Sequence, residues 1–193
     1  VFATTNIKFL KLSKTTIMNK VDELVKFIHE AGSLKNIPRS GWLKIGIKDP
    51  ESVAEHSFRV ALIAFFIAYM ESKNLERAYK ASFYALIHDI PESRTLDLHK
   101  LSKRYVNVNR DVLKQQLGFS PELFDELNKT INEVKDFVED ADKLELLFQA
   151  KEYSEFTDSA MDYTKNLEFR TETAKKIAEV CVKSDHRWWI EFE

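Results

Sequence analysis

The chain has 193 residues, of which 44 % are apolar and 31 % charged, and its net charge of −2 gives no general footprint for nucleic acid. Only 4 Gly and 4 Pro occur, which argues against a glycine-rich nucleotide loop or a turn-dense β-sandwich. The single cysteine, Cys181, excludes an internal disulfide and fits a reducing, cytoplasmic setting.

Residues 1–18 read as an N-terminal extension ahead of the first clear helix. Residues 1–48 carry nine Lys/Arg against three Asp/Glu, an excess suited to an anionic ligand or to a solvated tail. From residue 19 the pattern is helical, with Val21, Leu24, Val25, Phe27 and Ile28 near one face and Gly32 as the stop. The periodicity is then lost over about 33–50, where KNIPRSGWLKIGIKDP holds two of the four prolines. This is the loop expected to border a site.

A second helix is expected from Asp49–Ser52 to about Met70, with Ser52 and Glu55 placed for a capping box. Its run VALIAFFIAYM, flanked by Arg59 and Glu71, is too short to span a bilayer and reads as a core helix. A third helix covers 75–89 and is ended by Pro91. Segment 96–117 continues helically with a weaker phase. Leu123, Leu127, Ile131, Val134, Val138, Ala141, Leu144 and Phe148 then recur at threes and fours, describing one helix of about 30 residues. A last helix spans about 171–183, before an aromatic tail at 186–193. With no alternating strand pattern, the reading is an all-α single domain over 19–185.

Some polar residues interrupt these apolar stripes. His56 shares a face with Val60, Ile63 and Ile67, a pattern that also suits a core histidine satisfied by a carbonyl. The run ALIHDIPE ends an apolar helix in His88 and Asp89. A helix C-terminus accounts for the histidine but disfavours the carboxylate, so Asp89 needs a compensating cation. Asp142 sits within one turn of Val138 and Leu144, where a plain core helix would place an apolar group. Two imidazoles and two carboxylates suit Mn, Fe, Co, Ni or Zn better than Ca.

The segments ESVAEHSFRVA, ALIHDIPE and EDADKLELLFQAKEY, with the IPRSGW loop, resemble the HD-domain superfamily of metal-dependent phosphohydrolases, and more narrowly its 5′-deoxynucleotidase branch. The resemblance covers about residues 20–180 and implies an HD-type helical bundle that removes the 5′-phosphate of (deoxy)ribonucleoside monophosphates with metal-activated water. It implies His56, His88, Asp89 and Asp142 as ligands of one divalent transition metal. It makes Glu92 the catalytic carboxylate beside the phosphate and Asp97 a second carboxylate with catalytic and substrate-binding roles. Arg39 becomes the phosphate-binding arginine and Trp42 a wall of the nucleotide pocket. Arg94 and His99 add cationic groups near the same rim. A cytoplasmic homodimer with no nucleic-acid or membrane partner is implied as well.

The sequence departs from the family at HDIPESRTLDLHK, where Leu96 precedes Asp97 in place of a glycine. Losing that easy positive-φ position is expected to shift Asp97 and loosen sugar preference. Two other readings stand beside this one. A related hydrolase of triphosphates or signalling nucleotides would need further Lys/Arg groups, and a non-catalytic metal- or nucleotide-binding scaffold would keep the helical shell alone.

Overall fold

A computed structural model describes residues 14–109 and 111–191. Its α-helices are α1 (Lys14–Gly32), α2 (Ser40–Leu43), α3 (Val53–Ser72), α4 (Leu75–Ile87), α5 (Glu92–Thr95), α6 (Val112–Gln116), α7 (Pro121–Tyr153) and α8 (Glu172–Lys183). The fold is an all-α HD-type bundle, and pairing of extended backbone among the described residues is confined to one bridge, Pro38 with Ser52.

The core forms where α3, α4 and α7 meet, with α8 closing one side. Small side chains do much of this packing. Ala64 and Ala68 of α3, Ala78, Ala81 and Ala85 of α4, and Ala141 of α7 are buried beside Val60, Val134, Val138 and Leu144. Short side chains let the helix axes approach closely, so ligating groups on separate helices can converge. By length and composition α3 could cross a bilayer. Here it buries Val60, Ala64, Ile67 and Ala68 inside the bundle, as a core helix does.

Local chemistry sets the helix ends. Ser52 accepts from the Glu55 amide while the Glu55 side chain accepts from the Ser52 amide, so the expected capping box starts α3. Lys73 adopts a left-handed conformation at the end of α3, and Asn74 then caps α4. Pro121 opens α7, which runs 33 residues, close to the expected 30. Asp140, fully buried, accepts from the Arg170 and Thr171 amides and the Thr171 hydroxyl, which fixes the entry to α8.

The loop between α1 and α3 is ordered by the Pro38–Ser52 bridge. Arg39 N–H donates to Glu51 O at 2.9 Å and Val53 N–H to Ile37 O at 2.8 Å, which pins Arg39 against the start of α3. Gly46, at φ 87°, supplies the turn that returns the chain.

Two expectations are corrected. The first helix starts by Lys14, not residue 19, and its apolar face is largely exposed: Val21, Leu24, Val25 and Ile28 face outward while Phe27 packs inward. Among its described residues, segment 96–117 is mostly irregular, with only a 3-10 turn at Ser102–Arg104 and the short α6. Its weak phase reflects polar residues that line a cavity rather than a helix face. The aromatic tail leaves Trp188, Trp189 and Ile190 exposed, and His186 meets Glu155 at 3.5 Å. The basic residues before Lys14 lie outside the described residues.

Candidate active site

α3, the end of α4 and the middle of α7 converge on one polar cluster. His56 is fully buried on the first turn of α3. Its Nε2 lies 3.1 Å from Asp142 Oδ1 and 3.5 Å from Asp89 Oδ2. His88, which caps the end of α4, brings its Nε2 to 3.3 Å from the same Asp89 oxygen. His56, His88 and Asp142 each offer a ligand atom, all within 4.8 Å of one another. Ligand atoms around a tetrahedral ion with bonds near 2.05 Å lie about 3.3 Å apart, which is the spacing seen here.

The tautomers follow from the other ring nitrogens. His88 Nδ1 lies 2.5 Å from the Ala85 carbonyl, which can only accept, so His88 Nδ1 carries the proton. His56 Nδ1 lies 2.6 Å from Glu145 Oε2. Burial favours the neutral Glu145 carboxyl, but His56 and Arg59 outweigh it and keep the group ionised. An ionised carboxylate accepts only, so His56 Nδ1 also donates. With Nδ1 of each ring committed to an acceptor, Nε2 is the atom each ring offers to the cluster.

His56 Nε2 is buried and has no hydrogen-bond partner among the described residues. Burial lowers the pKa of His56, yet Asp142 and Glu145 push it up to about 10. Asp142, whose side chain is 47 % exposed, is opposed by desolvation but held well below the usual carboxylate range by His56. A cage this electronegative calls for a positive charge at its centre, and the donor set fits a divalent ion.

The remaining expected residues surround this cluster from loops. Arg39 Nη1 stands 3.7 Å from Asp89 and 3.6 Å from Asp97. Burial works against its charge, but Asp97, Asp89, Asp142 and Glu51 hold it firmly protonated. Leu96 itself takes φ 63° and ψ 164°, and Asp97 Oδ2 accepts from the Ser40 amide at 2.5 Å. The positive φ is taken by Leu96 itself, and the Asp97 carboxylate stands beside Arg39.

Glu92, 9 % exposed, has an Oε2 with no hydrogen-bond partner among the described residues. Burial first, then Asp89 and Asp97, push its pKa up to about 8. Glu92 lines a 380 Å³ cavity with His88, Asp89, Leu96, Lys103 and Asn107.

Trp42 and Arg94 fall elsewhere. Trp42 is 2 % exposed, its ring held 5.1 Å from Tyr153 and 5.4 Å from Tyr163. Its indole N–H donates to Glu51 at 3.0 Å, so it supports the loop from within and does not line the cavity. Arg94 is drawn away by Glu30, to which Nε and Nη2 donate. His99 is half-buried and joined to Ser40 and Ser102, next to the Asp97 loop.

Sequence reasoning did not single out Glu51, Arg59, Lys103 or Asn107. Glu51 packs near His56 and Glu145, and burial, then Glu145, push its pKa up to about 8. Nothing in its local pattern signals this, because its neighbours arrive from α7. For Lys103 and Asn107 the faltering helical phase of 96–117 was the available signal.

A family model described as HD domain matches residues 31–183. The chain is 30 % identical to the 5′-deoxynucleotidase HDDC2 of Danio rerio over 70 % of this chain and 72 % of that protein. It is 31 % identical to the 5′-deoxynucleotidase hdd1 of Schizosaccharomyces pombe over 67 % of this chain and 72 % of that one. The solved structure of predicted coding region AF1432 from Archaeoglobus fulgidus superposes with a TM-score of 0.64 at 42 % identity, covering 87 % of this chain and 99 % of that one. The histidine of α3, the His88–Asp89 pair and Asp142 all lie inside the matched span and meet in space, and the chain belongs to the HD domain family.

Proposed function

We propose that this protein is a metal-dependent phosphohydrolase that removes the 5′-phosphate from deoxyribonucleoside or ribonucleoside monophosphates. One observation carries the reading: two imidazole Nε2 atoms and two carboxylates from three helices converge, with the Arg39 guanidinium within 3.7 Å of the cluster. The relatives named as 5′-deoxynucleotidases support the substrate class.

His56, His88, Asp89 and Asp142 would hold one divalent ion, of Mn, Co, Fe, Ni or Zn, which supplies Lewis-acid polarisation of phosphoryl oxygen and lowers the pKa of water. Arg39 presents a planar fork to the non-bridging phosphate oxygens, pre-oriented by Asp97 and Asp89. Asp97 keeps Arg39 and the Ser40 amide in register at the leaving side. Glu92, whose buried Oε2 has no hydrogen-bond partner among the described residues, in its ionised form takes a proton from the attacking water as the P–O5′ bond breaks. That proton then goes to the departing 5′ oxygen, leaving a nucleoside and inorganic phosphate. Lys103 and Asn107 offer polar groups to the nucleoside in the 380 Å³ cavity.

The protein is read as a cytoplasmic homodimer without nucleic-acid or membrane partners. Support for a second copy comes from α3 and α4, whose outer faces expose Phe58, Leu62, Phe66 and Tyr79, Phe83. The Phe65 ring joins these stripes, lying 5.3 Å from Phe66 and 5.7 Å from Tyr79.

A phosphate-release screen over ribo- and deoxyribonucleoside mono-, di- and triphosphates with Mn, Co, Mg or Zn tests this. Turnover confined to monophosphates is expected. Inertness toward every nucleotide with every metal overturns the reading.

A further inference from the structure

His56 reaches the cluster through one nitrogen and is held through the other. We infer that Glu145, clamped by Arg59, is a positioning residue that locks His56 as the Nδ1–H tautomer and so presents Nε2 to the ion; this rests on the metal-dependent reading above. Glu145 lies three residues after Asp142 on α7, so one helical turn carries both a cluster carboxylate and the group behind the facing histidine.

The geometry is specific. Glu145 is fully buried and uses its two oxygens on different partners. Oε2 takes His56 Nδ1 at 2.6 Å, while Oε1 accepts from Arg59 Nε at 3.0 Å and Nη2 at 2.8 Å. Arg59 is itself anchored by Glu152 at 2.5 Å and by Gln149, both further along α7. His56 and Arg59 lie three residues apart on α3, so the pair of helices is stitched by a chain running from His56 through Glu145 and Arg59 to Glu152.

Glu51, His56 and Glu145 also cluster closely enough to suggest a second ion. Arg59 argues against it. Its guanidinium sits directly on Glu145 and 4.0 Å from Glu51, and a fixed cation there repels another. A carboxylate behind a ligating imidazole fixes ring orientation and raises the basicity of the opposite nitrogen, and losing such a partner typically costs about 10–100-fold in metal affinity.

The test compares wild type with Glu145→Gln by calorimetric titration of Zn and Co into metal-stripped protein. Gln keeps the shape and an acceptor for Nδ1 but removes the charge. A folded E145Q with affinity lowered about 10–100-fold, kcat reduced at saturating metal and KM for deoxyadenosine monophosphate unchanged is the expected result. Long-range proton–nitrogen spectra should show the His56 Nδ1–H in wild type and its weakening in E145Q. Unchanged affinity with an unchanged His56 signal overturns the inference while leaving the phosphohydrolase intact. A wild-type chain that takes up neither ion overturns the metal-dependent reading itself. Should E145Q fail to fold, Arg59→Gln keeps the atom on His56 and must still weaken metal binding, though less; equal affinity there counts against the clamp.

Discussion

The two halves of the site are built differently. The half proposed to hold the cation stands on long helices: His56 on α3, His88 and Asp89 at the end of α4, and Asp142 in mid-α7, each set by small-residue packing beneath it. The half proposed to face the phosphate stands on loops and one short helix, with Arg39 on the bridged segment before α3, Glu92 opening α5 and Asp97 just past a strained Leu96. Helices fix ligand atoms to within the tolerance an ion needs. The loops hold acid–base groups in unusual states and meet the variable part of the substrate.

Breaking the helical half should cost most. Asp89→Ala removes the oxygen shared by both imidazoles, and both metal uptake and phosphate release should fall by more than about 100-fold. Metal analysis of the purified variant checks this, and full metal content would remove Asp89 from the ligand set. Glu92→Gln attacks only the loop half. It should retain the metal while kcat drops about 10²–10⁴-fold, and a kcat near that of wild type would deny Glu92 its proton-transfer role.

Leu96→Gly sharpens the contrast from the other side. A non-glycine residue at φ 63° and ψ 164° carries strain on the order of 1–3 kcal/mol. Part of the relief is offset by the greater freedom of glycine in the unfolded chain. The variant should gain about 1 kcal/mol in urea denaturation, and a lowered midpoint would show that the strain is illusory.

The smallest effect concerns the tie between α1 and the loop half. Glu30 holds Arg94, Ser93 and Gln116, and the Arg94 hydrogen bond, opposed by desolvation, keeps its carboxyl below the usual value. A depressed folded pKa means the stabilisation is complete above the unfolded value of about 4.3. It is lost as pH falls through the lower folded value. Glu30→Gln should therefore be less stable than wild type at pH 7 and indistinguishable from it at about pH 2, measured by denaturant midpoints.

Much of the helical half was legible because each ligand breaks an apolar stripe. His56, Asp89 and Asp142 stand where packing alone would place aliphatic groups, and the capping box of Ser52 and Glu55 announced the start of α3. The loop half was harder to read. Segment 96–117 reads as helix with a weak phase, while its backbone is mostly irregular and borders a cavity. The resemblance makes Trp42 a wall of the pocket and Arg94 sits near its rim in sequence, while in the structure Glu51 holds the Trp42 indole and Glu30 holds Arg94.

By itself the sequence determined the helical class and the long helices, since these rest on periodicity, while the proposed ligand set rests on the resemblance to the HD-domain superfamily. Only the tertiary structure decided that Asp140 holds the Arg170 and Thr171 amides ahead of α8 while Asp142, two residues on, meets His56. Only it paired Glu145 with His56, 89 residues away, and with Arg59, 86 residues away. The physical reason is that an ionisable group takes its role from the charges folded around it, and those charges come from distant segments of the chain.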